Sequence, residues 1–173
     1  MRIVLLGDSH LARIRRDLAM IGPHERNAAE GGACALDLVA QARTAAVEQH
    51  DVVVVSVGTN DAAPRRQVPT AAYVRALLDC TRSVPARGWI YHAPPGVDES
   101  RLGGACGRTN ATIDAYRDAA VTACDEAGVR VVRTERVIEP LGARAFVSDG
   151  LHLGGAAYGL VLPAIAEAVR AVA

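Results

Sequence analysis

The 173-residue sequence contains no lysine: its nineteen basic side chains are all arginine, and nineteen Asp and Glu residues balance them. A neutral chain without a basic stripe interleaved with aromatics carries no signature of a nucleic-acid partner. Lysine's absence beside so much Ala and Val looks like a coding bias and carries no chemistry. Aromatics are scarce, with one Trp, four Tyr and one Phe. Long hydrophobic runs are missing too. No window approaches the roughly 20 apolar residues of a membrane span, and the opening MRIVLL is too short for a secretory leader. The expectation is a soluble, cytoplasmic protein with no membrane partner. Cys34, Cys80, Cys106 and Cys124 lie far apart, with no C-x-x-C pair and no His at zinc-finger spacing, so no metal site or redox motif is indicated and buried free thiols are expected. Repeats, low-complexity tracts and linkers are also absent. Residues 1–173 therefore read as a single domain, long enough to bury roughly 70% of the unfolded chain's surface.

What is present is an alternation of short apolar runs with helical stretches. RIVLLG predicts a strand, and LARIRRDLAMIG a helix with Leu11, Ile14 and Leu18 near one face. ERNAAE is a weak strand, and ALDLVAQARTAAVEQ predicts a second helix. DVVVVSVG, with five Val and little polar alternation, predicts a strand buried on both faces. A helix over Thr70 to Ser83, a strand GWIYHA, a helix over Asn110 to Ala127 stopped by Gly128, and a strand VRVVR follow. An irregular segment then leads through SDGLHLGG to a last helix. Strands alternating with helices of this length predict a three-layer α/β/α domain, its parallel sheet covered on both faces.

Ligands of such sheets bind outside the carboxyl ends of the strands. Four polar clusters fall on that edge: GDSH after the first strand, EGG after the second, GTND after the third, and SDGLH beyond the fifth. Each alone is ordinary turn and helix-cap chemistry. Together they hold what acyl transfer needs. Ser9, at a strand-to-helix turn, is the candidate nucleophile, and His152 the base that takes its proton. Asp149, three positions earlier, is the carboxylate that orients the imidazole. Gly32 allows a backbone N–H to approach a ligand closely, and Asn60 offers a side-chain amide donor.

Read this way, the sequence resembles the SGNH, or GDSL-type, esterase and lipase family, whose four blocks contribute Ser, Gly, Asn and His in that order. The matching stretches are GDSH with Ser9, NAAEGG with Gly32, GTND with Asn60, and DGLH with His152 and the preceding Asp149. They span nearly the whole chain. The resemblance implies a flavodoxin-like sheet of five parallel strands and a Ser9–His152–Asp149 triad. It also implies an oxyanion hole made by the Ser9 and Gly32 N–H groups with the Asn60 amide. His10 departs from the apolar residue usual in the first block and is expected to put a titratable group near the mouth of the site. Gly31 and Gly32 are adjacent, leaving two candidates for the oxyanion glycine, with the five-residue spacing from Asn27 favouring Gly32.

Other residues are open to two readings. His92 either lines the pocket or hydrogen-bonds to backbone at its strand end; His24 and His50 read as loop residues. Arg65 and Arg66 are either a solvated pair or an attraction for an anionic substrate, a phosphopantetheine or the surface of an acyl carrier protein. The loops expected to roof the site, Ala62 to Pro69 and Pro94 to Gly104, contain no aromatic residue, which favours a short acyl group over a long one. The leading expectation is a serine esterase acting on a small-molecule ester through an acyl-enzyme, with no metal or organic cofactor. The alternatives are an acyltransferase or thioesterase acting on a carrier-protein or coenzyme A ester, and a non-catalytic binding domain.

Overall fold

A computed structural model describes residues 1–14, 17–103 and 107–173. Five parallel strands form one sheet in the order β2-β1-β3-β4-β5. They are β1 (Ile3–Gly7), β2 (Glu25–Asn27), β3 (Val52–Ser56), β4 (Gly88–His92) and β5 (Arg130–Val132). The helices are α1 (Ser9–Ala12), α2 (Leu38–Thr44), α3 (Thr70–Ser83), α4 (Asn110–Glu126), α5 (Thr134–Ile138) and α6 (Gly155–Val172). The α/β/α layering is the one expected from the alternation of elements, and the flavodoxin-like sheet of five parallel strands is the one the family resemblance implied.

Strand periodicity divides the core in two. Val4, Leu6, Val53, Val55 and Tyr91 face one way and pack with α2, α3 and α4; Ile3, Leu5, Val52, Val54 and Ile90 face the other and pack with α5 and α6. Every residue of β1 and β3 is buried, as a strand covered on both faces must be. Each such Val or Leu contributes about 1.5–3 kcal/mol on burial. The edge strands β2 and β5 are only three residues long and partly exposed. By length and composition alone α6 would also suit a membrane, yet Ala157, Val161, Leu162 and Ile165 lie buried against the sheet, as in the core helix of a globular fold. Cys34, Cys80 and Cys124 are buried free thiols, as expected; Cys106 lies outside the described residues.

Three expectations are corrected. The helix read over Leu11 to Gly22 is the short α1, which begins earlier, at Ser9; beyond it only a 3-10 turn at Leu18–Met20 is helical among the described residues, Arg15 and Arg16 not being among them. Asn27 explains the early stop, because its side-chain amide takes up the carbonyls of Leu11 (2.8 Å) and Ile14 (3.0 Å). The helix read to Gln49 ends at Thr44, with Ala46 in a left-handed conformation (φ 47°) just after it. Conversely, the segment after β5 read as irregular contains α5 and a 3-10 turn at Glu139–Ala145.

At the carboxyl end of β1, Gly7 has φ 112°, and a Cβ there would lie 1.9 Å from the Ser56 carbonyl oxygen. Gly159, by contrast, is an exposed helical residue with open space around it. Gly7→Ala should therefore destabilise by about 3 kcal/mol or more, combining overpacking with a forbidden φ. Gly159→Ala should stabilise by about 0.5–1 kcal/mol. Urea unfolding of the two variants checks both, and a mild Gly7→Ala phenotype would contradict this packing.

Candidate active site

The four polar clusters meet at the carboxyl edge of the sheet. Ser9 opens α1 directly after β1, where the Asp8 carboxylate caps the helix by accepting from the His10 N–H (3.0 Å). Gln41 brackets the preceding residue: its Oε1 accepts from the Gly7 N–H (2.6 Å) and its amide donates to the Gly7 carbonyl (3.0 Å). The Asp8 N–H donates to the Ser56 carbonyl at 2.8 Å, locking this turn to β3.

His152 comes from the far end of the chain. Its turn is closed by the Val147 N–H on the His152 carbonyl (2.9 Å) and anchored by the Asp98 N–H on the Gly150 carbonyl (2.7 Å), while Leu153 enters the core. This places His152 Nε2 at 3.1 Å from Ser9 Oγ and His152 Nδ1 at 2.7 Å from Asp149 Oδ2. Asp149 and His152 share a non-helical turn, in which Asp149 Oδ1 accepts from the N–H groups of Leu151 (2.8 Å) and His152 (2.9 Å). Burial works to raise the Asp149 pKa, but the His152 side chain and these two N–H groups outweigh it and hold the carboxyl down at about 2. A carboxylate that stays charged and accepts at Nδ1 leaves Nε2 as the proton acceptor toward Ser9.

Asn60 is buried, its amide donating to the Ala33 carbonyl (3.0 Å) and its Oδ1 accepting from Arg108 (2.9 Å). Arg108 also donates to the Thr59 carbonyl. The neighbouring Asp61 staples two loops, accepting from the Ala35 (2.8 Å) and Gly58 (2.9 Å) N–H groups. Gly32 has φ 85°, its carbonyl accepts from Arg66 (2.6 Å), and a Cβ would meet nothing within 4 Å. The N–H groups of Ser9, Gly31 and Gly32 have no protein acceptor among the described residues. A cavity of about 620 Å³ opens beside this group, lined by Gly32, Asn60, Ala63, Arg65, Arg66 and Arg108. Among the described residues no cluster of His, Cys, Asp or Glu is arranged to hold a metal.

Two histidines differ from expectation. His10 does not reach the mouth of the site. It is fully buried, with Nε2 at 3.3 Å from Thr59 Oγ1 and its ring 6.2 Å from that of His152. Desolvation, with repulsion from His92 and His152, lowers its pKa to about 3. His92 does not line the cavity. It is buried with Nδ1 at 3.2 Å from Ser56 Oγ, and desolvation lowers its pKa to about 4. Arg108 and Gln41 were missed in the sequence. Arg108 stands 48 residues from Asn60 and Gln41 34 residues from Gly7, and neither carries a local signal.

The matching of sequence to known families agrees with this geometry. Residues 6–160 match the profile of the GDSL-like lipase/acylhydrolase family. Sheet, site and profile together define the class: the chain belongs to the GDSL-like lipase/acylhydrolase family and is a carboxylic ester hydrolase. No curated protein matches it in sequence. Among solved structures it is similar to a lipase/acylhydrolase from Enterococcus faecalis, with TM-score 0.81 and 19% identity over 99% of this chain and 96% of that one. It is also similar to a carbohydrate acetylesterase from Sinorhizobium meliloti (TM-score 0.80, 18% identity, 100% of both chains). An acetylxylan esterase from Geobacillus stearothermophilus is a third (TM-score 0.74, 18% identity, 97% and 93%). At these identities the likeness is one of fold.

The buried imidazoles make stability depend on pH. Unfolded His binds a proton below about 6.5, whereas His10 and His92 stay neutral in the fold until about 3 and 4. The unfolded state therefore gains two protons as the pH falls through 6.5, and stability drops. Asp8 and Asp61 oppose this: burial raises both carboxyls, that of Asp8 to about 7, so the folded state also gains protons above the ordinary carboxyl range. The lowered carboxyls of Asp51 and Asp149 act only below their ordinary value of 3.8. We expect the urea midpoint to fall between about pH 7 and pH 5, and His92→Asn to flatten that limb. A wild-type midpoint that rises on acidification would contradict it.

Proposed function

We propose that this ester hydrolase is a serine esterase working through an acyl-enzyme on Ser9. The observation that carries the proposal is the continuous series from Ser9 Oγ through His152 to Asp149, at 3.1 and 2.7 Å. Ser9 Oγ attacks the ester carbonyl while His152 Nε2 takes its proton. The imidazolium so formed is stabilised by Asp149, then gives the proton to the leaving alcohol oxygen as the C–O bond breaks. Water, deprotonated by the same nitrogen, attacks the Ser9 ester, and as the acyl C–O bond breaks that proton returns to Ser9 Oγ, releasing the acid and restoring the free enzyme.

The developing oxyanion is received by the N–H groups of Ser9 and Gly32 and by the Asn60 amide. Supporting this are the N–H groups that have no acceptor among the described residues and the hold Arg108 has on Asn60 Oδ1, which leaves both amide protons on the other side; one goes to Ala33 and the other has no acceptor among the described residues. Gly32 is preferred to Gly31 because it lines the same cavity as Asn60. A short acyl group is favoured by a cavity wall without aromatics, and two structural neighbours are named as acetyl-removing enzymes.

Hydrolysis of 4-nitrophenyl acetate by wild type, Ser9→Ala, His152→Ala and Asn60→Ala tests the assignment. Ser9→Ala and His152→Ala should each lower kcat by about 10⁴-fold or more, and Asn60→Ala by about 10²–10³-fold. Wild-type rates in the Ser9 or His152 variant would sink the mechanism. A preference for octanoate over acetate would sink the short-acyl reading. Added alcohols that divert the acyl group in place of water would reassign the enzyme as a transferase.

A further inference from the structure

The wall beside the proposed oxyanion hole is cationic. Arg65 and Arg66 line it with Arg108, and no carboxylate lines it among the described residues. Arg108 is engaged on Thr59 and Asn60, and Arg66 places one nitrogen on the Gly32 carbonyl. Arg65 is exposed, and neither Arg65 nor Arg66 has a carboxylate within 4 Å among the described residues. Glu30 and Asp37 line a separate hollow of about 330 Å³ that shares Gly32 and Arg66, so the unbalanced positive charge lies on the Arg65 side.

The orientation of a bound ester follows from the proposed chemistry. The leaving oxygen must take its proton from His152 Nε2, so the alcohol half lies against His152. The arginine-lined cavity adjoins Gly32 and Asn60 but neither Ser9 nor His152, so it lies on the oxyanion side of the scissile bond, away from the leaving group, and the acyl half can extend toward it. At about 620 Å³ it is larger than an acetyl group needs. Guanidinium groups recognise carboxylate and phosphate oxygens. We propose that the acyl half of the preferred substrate is short and ends in an anion, carboxylate or phosphate, held by Arg65 and Arg66. This rests on the esterase reading above and names the substrate class of the same site.

The test compares kcat/KM for 4-nitrophenyl hydrogen succinate with that for its methyl-capped neutral ester, which has the same reach without the charge. We expect the anion to be preferred by about tenfold or more, the size of one charge-assisted contact. The preference should shrink as NaCl rises from about 0.05 to about 0.5 M, and in Arg65→Gln and Arg66→Gln. The ratio is taken within each variant, so a general loss of activity does not affect it. Equal rates for the two esters in wild type, or a preference that survives both substitutions together, would overturn the proposal while leaving the esterase reading intact. Inhibition by succinate but not inorganic phosphate would assign a carboxylate, and the reverse a phosphate; inhibition by neither would count against the subsite. If no ester at all is turned over, the esterase reading fails and the subsite is read by calorimetric titration of succinate. Binding weakened in Arg65→Gln would then support it, and equal or absent binding would end it.

Discussion

Between β1 and β3 the backbones meet at Gly7 and Ser56 with no room for a single Cβ. Everything at the carboxyl edge is referred to that contact. Since the Asp8 N–H bonds to the Ser56 carbonyl and Gln41 holds both polar groups of Gly7, the direction in which the chain leaves β1 is determined by the register of the sheet. Ser9 follows two residues later on a turn with little freedom. His152, 143 residues away, then needs only its own turn to be fixed, which Asp149, Asp98 and the buried Leu153 accomplish. A hydrogen bond between residues so distant costs loop-closure entropy unless both ends are already placed. Here the sheet places one and the core the other.

Beneath Ser9 lies a buried polar floor of Asp8, His10, Ser56, Thr59 and His92, in which Asp8 Oδ2, His10 Nδ1 and His92 Nε2 have no hydrogen-bond partner among the described residues. Such burial costs stability. It also keeps the two imidazoles uncharged at neutral pH. A cation 6.2 Å from the His152 ring would oppose the imidazolium that the proposed mechanism must form. Neutral His10 leaves Asp149 as the charge in hydrogen-bonded contact with that ring.

The legible parts of the sequence were those with local or periodic causes. Four Val in succession can be little else than a doubly covered strand, and α3 follows its sequence pattern residue for residue. The family blocks placed Ser9, Asn60, Asp149 and His152 on one edge, because strand-end turns collect there in any parallel sheet. The illegible parts have distant causes. Nothing within LARIRRDLAMIG says that the Asn27 amide will capture two of its carbonyls and halt the helix. Nothing beside His10 says whether it faces solvent or the sheet, and a loop position alone made exposure the natural reading. Arg108 was invisible for the same reason: its role exists only where two loops, 48 residues apart, touch.

That contact also shapes the electrostatics of the cleft. An arginine on Asn60 Oδ1 fixes which way the amide faces and polarises it, making its remaining N–H a stronger donor. Donors held in place before charge develops stabilise it without reorganisation. Across the cleft, Asp149 is a carboxylate set behind the imidazole with its pKa held at about 2. The site thus has a negative end behind the base and a positive end behind the amide. The proposed reaction moves a proton toward Asp149 and negative charge toward the arginines, so both displacements run with this field. An acyl group ending in an anion would extend along it in the same direction, from the carbonyl at Asn60 to Arg65.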